Sequence, residues 1–280
     1  TGFGRMRHLG VPIDTAPAVR SLSRLDGWID RTYTNIKNKD EFYLTPSIAM
    51  YLYGRSFFLK DQAIDAKHKE AVDYFLGQAR QNWLKLANRQ SQGHLAIALK
   101  RFGHGDEAQD IMKSIRERSV TDEELGMFWR ETELSFFWFR APIETQALMI
   151  EAFDEVAQDP EAVEECKVWL LKQKQTQDWK TTKATADAVY ALLLRGTNLL
   201  ASDELVQVSL GGQTIAAEDV EAGTGFYEQT FTRGEIKPDL GEITVKKVDA
   251  GVAWGSVNWQ YLEDISKITP HEGTPLKLEK

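Results

Sequence analysis

Two kinds of helical segment alternate along residues 1–200, and this alternation limits the folds open to the chain. The first kind has apolar residues at helical spacing and a charged opposite face; it covers 15–38, 66–88, 105–118 and 160–175. The second kind is rich in alanine and poor in charge; it covers 46–59, 92–102, 142–156 and 181–199. A helix that is apolar nearly all round is buried on both sides. The pattern therefore predicts an inner layer of alanine-rich helices wrapped by amphipathic ones.

The alanine-rich segments recur at a spacing of roughly 40–50 residues, which is the range of helical-pair repeats. Two copies can be aligned, and the residues that match are Ala147, Ile150, Ala152 and Phe153 with Ala186, Val189, Ala191 and Leu192. We predict an α/α toroid built from such helical hairpins, as an incomplete ring. An open solenoid of helix pairs remains the alternative, because a repeat period does not show closure.

The last alanine-rich helix begins with threonines and small residues. Thr181 or Thr182 can cap its N-terminus. Thr185, Ala186 and Ala188 are small enough to let neighbouring helices approach closely. We expect this helix to be buried on both sides.

The stretch GMFWRETELSFFWFRAP, residues 126–142, breaks the helical pattern. Aromatic and polar residues alternate in it, which suits a β-hairpin. We predict the hairpin at about 126–140, with strands near 126–130 and 135–140.

A change of composition at residue 203 indicates a β region. Short alternating segments are separated there by glycine and proline, and Gly211-Gly212 marks a hairpin turn. We predict four to six short strands over 203–268, which is the pattern of part of an antiparallel β-sandwich. About seventy residues is small for a complete sandwich, so we expect partner strands elsewhere.

Charge and residue counts exclude several kinds of site. The net charge is -8 and no basic stripe is present, which argues against a nucleic-acid partner because phosphate binding needs clustered cations. Cys166 is the only cysteine, so it forms no internal disulfide, and we expect it to be a small buried residue. The five histidines lack metal-ligand spacing, and we expect no metal or cofactor; they are His8, His68, His94, His104 and His271.

Carboxylates lie beside tryptophans in the 126–144 region. The residues are Trp129, Glu131, Glu133, Trp138 and Glu144. Glycoside hydrolases use paired acids for catalysis, so an α/α-toroid carbohydrate-active enzyme is one alternative. A hairpin with aromatic residues on one face and charges in water is the simpler reading, because alternate strand residues face opposite sides. We therefore assign no catalytic residue.

Several stretches together resemble the bacterial alpha-2-macroglobulin family. They are ELGMFWRE, RAPIETQALMIEAF, VWLLKQKQTQDWKTTKATADAVYALLLRG and AWGSVNWQYLEDISKIT with the closing TPLKLEK. The resemblance runs over nearly the whole chain. It implies that 1–200 is similar to the C-terminal part of the family's thioester domain, and 203–268 to half of its CUB-like β-domain. Residues 269–280 would then be a linker into the next domain, so we expect a segment of a longer protein.

The resemblance implies a broad-range endopeptidase inhibitor and not an enzyme. In the family a protease cuts a bait region and is then trapped, in many members by a thioester in a CxEQ motif. This chain has no CxEQ, and Cys166 is followed by KVW. The implied partners are other macroglobulin-like domains of the same chain and target proteases. The implied location is the bacterial periplasm or cell surface, with any lipid anchor outside this segment.

Two further readings remain open from the residues. A terpenoid-processing toroid enzyme is a variant of the enzyme alternative, and the lack of an aspartate-rich metal motif counts against it. A scaffold that binds a partner through the aromatic hairpin would show a contiguous exposed apolar patch around 136–139.

Overall fold

A computed structural model describes residues 1–130, 138, 141–176, 179, 181–194, 206–217, 227–248 and 255–267. Its α-helices are α1 (Gly2–His8), α2 (Ala16–Thr34), α3 (Pro46–Ser56), α4 (Ala66–Asn82), α5 (Arg89–Arg101), α6 (Gly105–Glu117), α7 (Pro142–Ala152), α8 (Pro160–Thr176) and α9 (Thr182–Leu193). Its strands are β1 (Val120–Asp122), β2 (Gly126–Phe128), β3 (Gln207–Leu210), β4 (Gln213–Thr214) and β5 (Ile243–Lys246). The predicted fold class, mainly helical with a smaller antiparallel β part, is confirmed.

The alanine-rich helices lie side by side in one layer, which we call the inner row (α3, α5, α7 and α9). In it α3 packs on α5, α5 on α7 and α7 on α9. Amphipathic helices cover the row, since α6 packs on α5 and α8 packs on α7. The two-layer order therefore agrees with the sequence pattern, and the toroid stays a prediction.

Small residues let the inner helices approach closely. Gly93 of α5 faces α7, and a methyl group at this position would overlap the end of the Met149 side chain and press on Leu148. Of the helices that the structure describes, none combines the length and the apolar character that a membrane span requires.

Helix α9 is buried on one side only, which corrects the expectation of burial on both sides. Its predicted cap is present, because the Thr181 hydroxyl accepts the Ala184 N–H at 3.0 Å. Ala188 is buried against the row, but Thr185, Ala186 and Val189 are exposed. The reason is position: α9 is the last helix of the row in the described residues, and no helix there covers its outer side.

The structure describes a hairpin just upstream of the predicted one. Strand β2 starts where predicted, but it pairs antiparallel with β1 upstream, with Val120 opposite Phe128. Asp122 sets the turn, because its carboxylate accepts the N–H groups of Glu124 and Leu125, both at 2.9 Å. The predicted second strand, 135–140, lies outside the described residues except for Trp138.

The β region forms a three-stranded antiparallel sheet in the order β4-β3-β5. The predicted Gly211-Gly212 turn joins β3 to β4. Val208 lies opposite Val245 and Leu210 opposite Ile243, so these four apolar side chains share one face. In the described part of 203–268 three strands are present, against the four to six predicted. The predicted linker, 269–280, lies outside the described residues.

Candidate functional site

Charged side chains converge at the C-terminal halves of the inner helices. Glu151, near the end of α7, is 1% exposed. Its Oε2 accepts hydrogen bonds from the Tyr53 hydroxyl of α3 at 2.6 Å and from Arg5 Nη2 of α1 at 3.4 Å. Its Oε1 accepts one from Arg101 Nη2 of α5 at 3.1 Å. Three helices thus donate to a single carboxylate of a fourth.

Arg101 links Glu151 to a second carboxylate. A π-helical turn, Phe153–Ala157, follows α7 and carries Glu155. Arg101 donates to Glu155 from Nε at 2.7 Å and from Nη2 at 2.5 Å. Its guanidinium also lies 3.9 Å from the centre of the Phe57 ring. A two-pronged bond with a planar ring beneath it is the arrangement that suits arginine and not lysine.

Arg5 extends the same network to α9. Its Nη1 donates to Asp187 Oδ1 at 2.6 Å, and its Nε donates to the Tyr53 hydroxyl at 2.9 Å. Lys183 donates to the other oxygen of Asp187 at 2.8 Å. Helix α1 therefore contacts both α3, the first helix of the inner row, and α9, the last. We call Arg5, Tyr53, Arg101, Glu151, Glu155 and Asp187 the polar network.

Arg5 and Tyr53 of the polar network keep their protonation states around neutral pH. Burial lowers the pKa of Arg5, but the contacts with Tyr53, Glu151 and Asp187 outweigh burial and raise that pKa overall. Burial, followed by the Glu151 charge, raises the pKa of Tyr53 well above its ordinary value. The arginine thus stays charged and the tyrosine neutral. Neither is suited to exchange a proton near neutral pH, as a general acid or base must.

His8, Glu151 and Glu155 place three ligand atoms within 4.8 Å of one another. This is the only set of three or more metal-ligand side chains in the described residues. Arg101 donates hydrogen bonds to both carboxylates, so their charge is already balanced by a cationic side chain. The cluster therefore favours ion pairs over a metal ion.

A narrow cleft of about 40 Å³ opens beside the polar network. Arg5, Tyr53 and Asp187 line its inner wall, together with His94 of α5. Lys183 and Trp138 line it as well, and their side chains are about half exposed. The cleft is small beside the 300–1,000 Å³ typical of pockets for drug-sized ligands.

Of the acid–tryptophan cluster suggested by the sequence, the structure describes Trp129, Trp138 and Glu144, and Trp129 lies in the core. Trp129 is 1% exposed, its indole N–H donates to the Ile115 carbonyl at 2.9 Å, and its ring stacks on Phe153. Glu144 is buried in the first turn of α7, with Lys183 3.9 Å away. Trp138 lines the cleft. Glu131 and Glu133 lie outside the described residues, as does most of the 136–139 patch of the scaffold reading.

The cysteine lies in the core, and the described histidines differ in their exposure. Cys166 is fully buried in α8, and burial raises its pKa well above the usual thiol value, which confirms the predicted role as a small core residue. His68 and His94 are buried, and His8 is exposed. His271 lies outside the described residues.

Sequence reasoning missed the polar network, although a signal was present. Arg101, Glu151 and Asp187 are charged residues on helices that are otherwise poor in charge. Charged side chains are almost never fully buried unless they are paired. In the alignment of the two repeat copies, Glu151 also falls at the position of Tyr190, whose ring lies 4.7 Å from the Arg5 guanidinium. An isolated charge on a charge-poor helix therefore marks a side chain with a buried partner.

Comparison with known proteins adds no relative. No protein-family model matches this chain, and no curated protein matches it significantly.

Proposed function

We propose that this chain is a structural and interaction module of a broad-range protease trap of the bacterial alpha-2-macroglobulin kind. The observation that carries the proposal is the order of the architecture. Two layers of helices over α2 to α9 are followed by a small antiparallel sheet. That order is what the family resemblance implies for a toroid followed by half a β-domain.

The sheet supports a module that works beside other domains. Val208, Leu210, Ile243 and Val245 share one face, and Val245 is 63% exposed. Layers of secondary structure become stable by covering such apolar faces. Under this proposal, strands from elsewhere in a longer protein cover this face, and other macroglobulin-like domains and target proteases are the partners.

The polar network supports a structural role for the helical part. Its acids are bonded to arginines and a tyrosine, so these side chains hold helices together and are not free to act on a substrate. The carbohydrate-enzyme alternative needs exposed rings and convergent acids, and Trp129 is instead part of the core. We therefore propose a chain without catalytic residues or cofactor, in the periplasm or at the cell surface.

A protease-protection assay on the full-length protein tests the proposal. The protein is mixed with a general endopeptidase, and activity is measured on a large protein substrate and on a small peptide substrate. A trap abolishes cleavage of the large substrate and leaves cleavage of the small one, because the trapped protease still admits peptides. Residues 1–280 alone serve as the control and should protect against neither. Unchanged cleavage of both substrates by the full-length sample would overturn the proposal.

Thiol release on adding methylamine distinguishes a trap with a thioester from a trap without one. A new thiol in the full-length protein indicates a reactive thioester outside this chain, and no new thiol indicates a trap without one. For the enzyme alternative, Glu144→Gln should change no activity. Loss of hydrolysis of any glycan in that variant would establish an enzyme instead.

A further inference from the structure

We draw no further inference here: the strongest candidate, the exposed apolar side chains of Val257, Trp259 and Tyr261 in the segment 255–264, carries none because nothing in the structure shows what covers them.

Discussion

At the scale of single residues, Glu151 balances two arginines in the interior of the helical layer. Its carboxylate has bonds from Arg5, Tyr53 and Arg101, which come from three different helices. A buried ion pair adds little when both partners are replaced, but removing one partner leaves a buried charge unbalanced. The decrease in the free energy of unfolding when Glu151 is replaced therefore depends on the two arginines, which remain buried and charged.

Glu151→Gln should lower the free energy of unfolding by about 3 kcal/mol, because both arginines lose a negative partner. Urea unfolding followed by circular dichroism measures the change. Glu117→Gln, at an exposed position at the end of α6, is the matched control and should stay within about 0.5 kcal/mol of the parent. Equal stabilities for the two variants would show that the network is not held by charge.

His94 makes the stability of the fold depend on pH in a defined window. Its pKa falls from an ordinary value of 6.5 to about 3 on folding, so between these values only the unfolded chain binds the proton. Stability is then lost as the pH falls from 6.5 towards 3, and the contribution of His94 is constant above that window. From pH 6.5 to pH 5 the loss from this group is about 1.5 kcal/mol.

His94→Phe removes that proton, so its stability should fall by about 1.5 kcal/mol less than that of the parent between pH 6.5 and pH 5. Urea unfolding at the two pH values gives both differences. His104→Phe should follow the parent curve. Parallel curves for the parent and His94→Phe would mean that the folded protein protonates this ring as readily as the unfolded chain.

At the scale of secondary-structure elements, local patterns predict helices well and strand partners poorly. The apolar spacing of 160–175 needs no knowledge of the rest of the chain, and α8 covers Pro160–Thr176. The pairing of β2 with β1 was not predicted, because the turn between them depends on one side chain. Asp122 accepts two backbone N–H groups just before Gly126, and no apolar pattern marks such a contact.

Residues of the polar network were harder to predict than the elements that carry them. Arg101 and Glu151 are fifty residues apart, and nothing local links them. They meet because α5 packs on α7, and this packing is part of the tertiary structure. The sequence marks them as unusual on charge-poor helices, but only the packing shows that they are partners.

The β1–β2 hairpin depends on a glycine that lies against α8. Gly126 has a φ of +73°, and a methyl group there would overlap the backbone carbonyl of Glu165. Gly10 has a similar φ of +79° with open space around it. Gly10→Ala should therefore cost only the backbone strain, about 1 kcal/mol. Gly126→Ala should cost about 3 kcal/mol, because α8 must also move.

Thermal and urea unfolding of the two alanine variants measures this difference. The comparison tests packing, since the φ angles of the two glycines are similar, +79° and +73°. If Gly126→Ala lowers the free energy of unfolding no more than Gly10→Ala does, the hairpin is not packed tightly against α8.

At the scale of the whole molecule, one short helix joins distant parts of the chain. Arg5 of α1 bonds to Asp187 of α9, 182 residues away, and to Glu151 of α7. Its side chain thereby ties α1 to helices at both ends of the inner row. The toroid itself stays a prediction.

Arg5→Met should speed amide hydrogen exchange roughly tenfold in α9, because the bond that ties this helix to α1 is gone. Mass spectrometry of peptides covering α9 measures the rate. Arg7→Met is the matched control: Arg7 lies on the same helix but bonds to Asp61 and to the Phe57 carbonyl. That variant should leave exchange in α9 unchanged, and equal effects of the two variants would mean that α1 holds α9 by its backbone alone.

The bond between Arg5 and Asp187 also sets an order of events on the ribosome. Arg5 emerges early, and its partner on α9 is synthesised 182 residues later. At about 5–20 residues per second, the delay is roughly 10–40 s. During that time α1 can bind α3 through Tyr53 and the Phe57 carbonyl, but Arg5 still lacks the carboxylates of Glu151 and Asp187. The full set of Arg5 contacts therefore forms only after α9 has been synthesised.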